Sequence, residues 1–338
     1  MLVARLGSTP GIDNISILTE NDLSQPDPGP GEISVRLQAS SLNQHDYNVI
    51  LGRLPAEPGR ILLSDAAGTV EAVGAGVTEF CEGDQVISCF FPQWIDGRQG
   101  IPGFSTVPGD GVDGYAREHV IRPASWFVRA PRHLNVLESS TLPTAALTAW
   151  RALVVENKVK PGDSVLILGT GGVSIFALQF SKMLGARVIA TSSSNEKLQR
   201  ISSLGADDLV NYVEVPEWGQ RVRELTDGQG VAHVVEIGGQ GTLPQSIEAC
   251  RVGGRIALIG VLTGIGGYVP LAAMMGKQIR LQGLTVASRS DLQEMISAIE
   301  VNKIRPIIDA TYSLSNLRDA LRQMESGKHF GKIAIDHR

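Results

Sequence analysis

Cysteine is scarce. Cys81, Cys89 and Cys250 are the whole supply in 338 residues, and they form neither a C-x-x-C pair nor a disulfide framework. That pattern argues against a disulfide-stapled secreted domain and suits reduced, buried thiols in a cytoplasmic enzyme. Positive charge is not in excess either. A net charge of −5, with no basic, aromatic-interleaved patch, offers no electrostatic footprint for nucleic acid or an anionic membrane. No apolar run approaches transmembrane length, and the opening MLVARLGSTPGI lacks the apolar core of a signal peptide. Internal repeats, low-complexity tracts and long linkers are missing as well. What is there is a globular composition, 43% hydrophobic and 19% charged, in a chain whose length suits two domains better than one.

The most informative stretch runs from Ser164 to Ser194. Ser164–Gly169 is a short apolar run that reads as a strand buried on both faces. It empties into Gly169-Thr170-Gly171-Gly172-Val173-Ser174. Apolar residues then recur at Val173, Phe176, Ala177, Phe180, Met183 and Leu184, the spacing of a helix with one buried face. A second strand, Arg187–Thr191, follows Gly185. Strand, glycine turn, helix, strand is the opening βαβ unit of a dinucleotide-binding domain. Gly169 allows the tight turn, Gly171 lets the backbone approach a pyrophosphate, and the free N–H groups at the helix start, around Gly172 and Val173, face the phosphates. Ser174 replaces the third glycine of G-x-G-x-x-G.

The end of the second strand indicates which dinucleotide. NAD-preferring sites place an Asp or Glu about 20 residues past the first glycine, for the ribose hydroxyls. Here the chain reads Thr191-Ser192-Ser193-Ser194, with no carboxylate before Glu196 and a positive charge at Lys197. Hydroxyls donate to a 2′-phosphate where a carboxylate would repel it, so NADP(H) is the expected cofactor. The competing reading is that Ser193–Asn195 only caps the next helix.

Up to about residue 130 the chain reads as a β-rich module, with Ile33–Ala39 alternating and short strands at Gly68–Val73 and Gln85–Ser88. From 131 to 287 strands alternate with helices, which predicts a doubly wound parallel sheet of about six strands ending at Ile279–Leu284. Residues 288–338 return to helices and a last strand, Lys332–Ile335. Gly238 and Gly260 stand at predicted strand ends, where ligands of parallel sheets lie, and Thr148 is counted with them among the expected cofactor contacts.

This order, β-rich module, Rossmann domain, short tail, resembles the medium-chain dehydrogenase/reductases over essentially the whole chain. The marks are Gly31-Glu32, Asn43-Gln44-His45-Asp46, Ala66–Gly74, Glu82-Gly83-Asp84-Gln85-Val86, Leu142-Pro143, Lys160-Pro161-Gly162-Asp163 and Lys328–Lys332. The resemblance implies an α/β chain: a GroES-like β-rich catalytic domain beside a Rossmann domain. Zinc-dependent members hold the metal with a cysteine, a histidine followed by an acid, and a second cysteine. At the matching places stand Asn43, Ser64 with Asp65, and Thr144, and only Cys89 occurs in the Cys89–Val112 stretch where many members carry a four-cysteine lobe. No metal is expected. The resemblance then shifts to the zinc-free branch of quinone oxidoreductases, zeta-crystallin and enone reductases. There the residues matching Asn43 and Asp46 line the nicotinamide cleft, and those matching Lys197 and Tyr212 hold the adenosine phosphate. The branch's second tyrosine falls at Asn48, with Tyr47 one residue earlier.

Without a Lewis acid the protein must polarise its substrate with hydrogen-bond donors. Asn43, His45 and Tyr47, read as one loop, are the expected catalytic groups, with His45 placed to exchange a proton near neutral pH. Hydride addition to a quinone or α,β-unsaturated carbonyl gives a delocalised anion, so a small hydrophobic carbonyl or quinone is the expected partner. A metal-free alcohol/aldehyde oxidoreductase is a second reading, and a non-enzymatic dinucleotide-binding protein, structural or RNA-related, a third. Phe90-Phe91-Pro92-Gln93-Trp94 reads either as a wall of the substrate pocket or as core. The apolar edge strand Ile279–Leu284 predicts a homodimer or homotetramer.

Overall fold

A computed structural model describes residues 1–20, 27–97 and 103–338. The chain forms two compact units, Met1–Leu147 with Val286–Arg338, and Thr148–Thr285. The expected boundary near residue 131 therefore moves to 148. Residues 131–147 stay with the first unit because their helix packs onto its sheet. Among the described residues no helix is long and apolar enough to cross a membrane.

The first unit opens with an antiparallel pair, β1 (Leu2–Arg5) and β2 (Ser16–Thr19). Strand β3 (Glu32–Ser41) is its backbone. Alternation along β3 buries Ile33, Val35, Leu37 and Ala39 completely or nearly so, the period-2 pattern of a strand with a core face. After α1 (Gln44–Ile50) come β4 (Ala67–Val73), β5 (Gln85–Ser88), β6 (His119–Pro123), β7 (Phe127–Arg129) and α2 (Val136–Ser140). Short α3 (Leu147–Trp150) spans the point in the sequence where the first unit gives way to the second.

In the second unit the strands are β8 (Ser164–Leu168), β9 (Arg187–Ser192), β10 (Asp208–Asn211), β11 (Val231–Glu236), β12 (Cys250–Leu258) and β13 (Arg280–Gly283). Between them run α4 (Gly172–Met183), α5 (Asn195–Ser203), α6 (Trp218–Glu224), α7 (Leu243–Ala249) and α8 (Leu271–Gly276). All strand pairs are parallel, in the order β10-β9-β8-β11-β12-β13. Sequential strands step outward one way from β8 and then the other, which is the doubly wound order with its switch point beside β8. The central strands are buried on both faces: Val165–Leu168 is an unbroken apolar run, and Val231–Glu236 is buried throughout although it carries His233 and Glu236.

The chain then returns to the first unit with α9 (Arg289–Asn302), β14 (Ile308–Ser313), α10 (Leu317–Glu325) and β15 (Lys332–Asp336). There β14-β15-β3-β4-β5-β7 form one sheet, with β6 also paired to β3. Strand β15 lies antiparallel to the end of β3, with Ala334 opposite Ser41. That pairing brings the tail of the sequence to residues 41–43.

Candidate active site

Asn43 ends the chain's exit from β3, and its surroundings are almost wholly polar yet buried. Its Nδ2 donates to Asp65 Oδ2 at 2.8 Å, and its Oδ1 accepts from Lys332 Nζ at 2.6 Å. The opposite amide orientation would set NH₂ against ammonium and oxygen against carboxylate, so the charges fix the flip. Asp65 also accepts from Ser41 Oγ at 2.8 Å and from Thr144 Oγ1 at 2.6 Å. Thr144 is presented by the π-wound turn Leu142–Ala146. Lys332 donates further to the Leu42 carbonyl at 2.6 Å and lies 3.8 Å from Asp65 Oδ2. Burial pushes the Asp65 carboxyl up and the Lys332 ammonium down, each against the pull of the other. A carboxylate, an ammonium and an amide are thus locked in one buried network.

Residues 44–50 are a helix, not the loop expected from sequence, and this separates the candidate donors. His45 and Tyr47, two residues apart, point about 200° away from each other on a helix of 3.6 residues per turn. Tyr47 is a correction. It packs in a core cluster with Ile50, Leu317 and Leu321, and its hydroxyl donates to Glu325 Oε1 at 2.6 Å, so its proton is committed to structure. Asp46 is a second correction. Its oxygens accept from the backbone N–H groups of Asn43 (3.0 Å) and Ser64 (2.9 Å), and it is only 3% exposed. It clamps two chain segments rather than facing a ligand, and burial together with Asp65 raises it to about 7.

His45 sits among aromatic rings. Phe90 meets it edge-on at 5.1 Å and Phe104 lies nearly parallel at 6.0 Å. Phe91 contacts Phe90, Phe104 and Trp94. The aromatic run is therefore core at Phe90, Phe91 and Trp94, while Phe104, beyond that run, is partly exposed; residues 98–102 lie outside those described. Burial pushes His45 down to about 4, so its ring is neutral near pH 7, whereas sequence alone suggested a titration there. The thiols also differ from expectation: Cys89 and Cys250 are buried but Cys81 is exposed.

In the second unit the glycine turn has the geometry of a phosphate cradle. Gly169 adopts φ +70°, which favours glycine. A Cβ on Gly171 would meet nothing within 4 Å, so the space beside this backbone is open. Gly171 is the N-cap of α4, and Gly172 and Val173 are its first residues. Ser174 is fully buried, and its hydroxyl donates to the Leu168 carbonyl at 2.6 Å; a small side chain thus does the close packing usually left to glycine. At the end of β9, Ser194, within the expected capping stretch Ser193–Asn195, caps α5, accepting from Lys197 N–H at 3.3 Å. Ser193 is exposed, Lys197 half-buried and Tyr212 41% exposed, with Tyr212 N–H bonded to the Ser192 carbonyl. Thr148 is buried.

Gly238 needs a different account from the one expected. Its N–H donates to Glu236 Oε1 at 2.7 Å, so it has no donor left for a cofactor. Glu236, a residue that carried no sequence signal beyond its place at a strand end, also accepts from Gly239 N–H, Thr242 Oγ1 and Ser246 Oγ. This buried carboxylate organises the turn after β11. Gly260 is required by packing, since a Cβ there would stand 2.2 Å from the Ile237 carbonyl oxygen. The other residue that sequence reasoning passed over is Lys332. Its signal was a lysine heading the apolar run Ile333-Ala334-Ile335.

Comparison with known proteins agrees with this architecture. Residues 29–132 match the alcohol dehydrogenase GroES-like domain and residues 172–300 the zinc-binding dehydrogenase family. The zinc-type alcohol dehydrogenase-like protein C1773.06c of Schizosaccharomyces pombe is 39% identical over 90% of this chain and 91% of its own. The crystal structure of an NAD-dependent alcohol dehydrogenase superposes with a TM-score of 0.90 at 34% identity, covering 100% of both chains. A mycobacterial protein, Rv1454c, solved with NADPH, does so with a TM-score of 0.82 at 27% identity over 99% of both. With the glycine cradle, the doubly wound sheet and the β-rich unit all in place, the chain belongs to the medium-chain dehydrogenase/reductases, among the zinc-type alcohol dehydrogenase-like proteins, and is a nicotinamide-dinucleotide-dependent oxidoreductase.

Proposed function

We propose that this enzyme works without zinc and reduces a quinone or an α,β-unsaturated carbonyl with NADPH. The observation that carries the reading is the Asn43–Asp65–Lys332 network. Zinc sites take thiolate, imidazole or carboxylate, and of Asn43, Ser64, Asp65 and Thr144 only Asp65 offers one of these. Both Asp65 oxygens already accept hydrogen bonds, and an ammonium stands 3.8 Å away. A divalent ion beside Lys332 would meet like charge and too few donors. The residues present do not fit the metal.

The residues of the glycine cradle do fit a dinucleotide: Gly171 leaves room for a pyrophosphate, and the first N–H groups of α4 can donate to it. When bound, the reduced nicotinamide supplies hydride. The chain's own part is to hold the charge that hydride addition creates. Asn43 Nδ2 spends one hydrogen on Asp65 and keeps the second for a substrate oxygen, and its amide is polarised by the ammonium on its carbonyl. A delocalised enolate or hydroquinone anion needs no stronger acid. The neutral His45 beside Asp110 favours a second reading, reduction of simple aldehydes, where the alkoxide must be protonated as it forms.

The test is NADPH oxidation with a quinone, an enone and an aldehyde, each with and without chelator, on protein purified without chelator and analysed for metal. Turnover insensitive to chelator and far less than one zinc per chain are expected; stoichiometric zinc overturns the reading. For the cofactor, Ser193, Lys197 and Tyr212 support a 2′-phosphate pocket. Lys197→Ala should cost NADPH about tenfold or more in affinity, the worth of a charge-assisted contact of ~1.5–3 kcal/mol, and leave NADH little changed. Equal affinities for NADPH and NADH in the unmodified enzyme reject the assignment.

A further inference from the structure

Beside His45 and its aromatic rings stands an acid that the hydride chemistry leaves unused. Asp110 lies on a loop that glycines press against the chain at Leu62–Ser64. A Cβ on Gly109 would stand 3.0 Å from the Leu63 backbone, and one on Gly114 2.3 Å from the Leu63 carbonyl oxygen. A Cβ on Gly111 would stand 2.2 Å from the Ser105 carbonyl carbon, so the loop also closes tightly on itself. So held, Asp110 is 7% exposed, and its Oδ2 faces His45 Nε2 at 3.5 Å. That nitrogen is buried and makes no hydrogen bond. A closure of about half an ångström would make one.

The charge states of the pair follow from its surroundings. Burial keeps the His45 ring neutral. Burial also pushes Asp110 up to about 6, against the pull of Arg60, which itself lies 3.5 Å from Asp113. The two therefore do not form an ion pair near neutral pH. A neutral imidazole carries one proton on one of two nitrogens, and a neighbour bonded to either nitrogen decides which.

We propose that Asp110 is a positioning residue that sets the tautomer of His45, and through it the direction in which His45 exchanges a proton with a carbonyl or alcohol substrate. When protonated, Asp110 donates to Nε2 and His45 presents Nδ1–H as a donor. When ionised, it accepts from Nε2–H and His45 presents the Nδ1 lone pair as an acceptor. Reduction of an aldehyde uses the first state. The alkoxide takes the proton from Nδ1 as Asp110 passes its own to Nε2, leaving an alcohol, an ionised Asp110 and the Nε2–H tautomer. Alcohol oxidation runs the same transfers in reverse. The substrate half of this proposal rests on the function proposed above, but the tautomer half does not.

The test therefore has two arms. Histidine ¹⁵N shifts, with the His45 signals assigned through His45→Gln, report the tautomer with no substrate present. Between about pH 5 and about pH 8 the ring should pass from the Nδ1–H to the Nε2–H form as Asp110 ionises, and in Asp110→Asn the passage should disappear. A single tautomer throughout that range in the unmodified enzyme, or a passage that survives Asp110→Asn, overturns the proposal. In the kinetic arm, Asp110→Asn should lower aldehyde turnover about tenfold further than quinone turnover and flatten the aldehyde pH profile. Equal losses on both substrates with an unaltered profile would assign Asp110 a merely structural role. An enzyme that turns over no carbonyl or quinone fails the functional reading, while the spectroscopic arm still decides this one.

Discussion

Lys332 ties three groups of the candidate site together. It is 3% exposed, and it neutralises Asp65 while holding the Asn43 amide and the Leu42 carbonyl. Removing one member of a buried pair strands the other charge, at a cost of about 3–5 kcal/mol. Lys332→Met should therefore destabilise by that order in urea titrations. Lys332→Met with Asp65→Asn should lose less than the sum of the single losses, because neither charge is left alone. Strict additivity would show the two side chains to be uncoupled.

His337 gives the residue scale a pH signature. It is buried, bonded through Nδ1 to the Arg117 carbonyl at 3.0 Å, and burial lowers it to about 4 from an ordinary 6.5. The unfolded chain thus binds the proton more readily, and stability is lost as pH falls from about 6.5 toward about 4. For one such group the loss approaches ~3 kcal/mol at the lower end. Asp110, raised to about 6, acts with the opposite sign, since its folded form holds the proton longer and favours folding on the acid side. His337→Gln should accordingly flatten the acid limb in urea midpoints measured at about pH 7 and about pH 4.5. A limb of unchanged slope would remove His337 from the account.

At the scale of elements, two glycines with different reasons for being glycine can be told apart. A Cβ at Gly171 meets open space, and its φ of −76° suits any residue. Gly171→Ala should fold with stability within about 1 kcal/mol yet bind NADPH at least about tenfold more weakly, because the new methyl occupies room meant for phosphate. Gly260→Ala should do the reverse, destabilising the turns that follow β11 and β12 by forcing a methyl to 2.2 Å from the Ile237 carbonyl oxygen. Thermal melts with and without NADPH separate the outcomes. Loss of folding in Gly171→Ala would mean the cradle is shaped by packing rather than by its ligand. Element identity was largely legible beforehand. The apolar run before Gly169 and the 3.6-residue spacing after it marked β8 and α4 within a residue or so. The stretch after Asn43 carries no helix signal in the sequence, because a single two-turn helix, Gln44–Ile50, has too little periodicity to announce itself.

For the whole molecule, the edge strand β13 carries the remaining expectation. It lies at the border of the parallel sheet as Arg280–Gly283. In the same unit Ile265 is 93% exposed, Met275 77%, Tyr268 76% and Leu271 72%. Unpaired backbone and large exposed side chains of this kind are usually covered by a second copy. A dimer or larger assembly is expected by light scattering at micromolar concentration, and a monomer there rejects it.

By itself the sequence determined the alternation of strands and helices from β8 to β12, the glycine cradle between β8 and α4, the missing carboxylate after β9 and the missing ligands at residues 43, 64 and 144. Each of these is a local pattern or an identity at one position, and backbone geometry turns such patterns into structure without reference to distant residues. Only the tertiary structure decided which polar groups meet. Lys332 reaches Asn43 across 289 positions and Tyr47 finds Glu325 across 278, through the antiparallel pairing of β15 with β3 and the burial of α1 and α10 side chains in one core cluster. Asp110 stands beside His45 because glycines let a loop press onto Leu63. No spacing rule carries such contacts. They are selected when burial of the apolar faces closes the unit and each buried charge must find its partner or be left unpaid in a low dielectric.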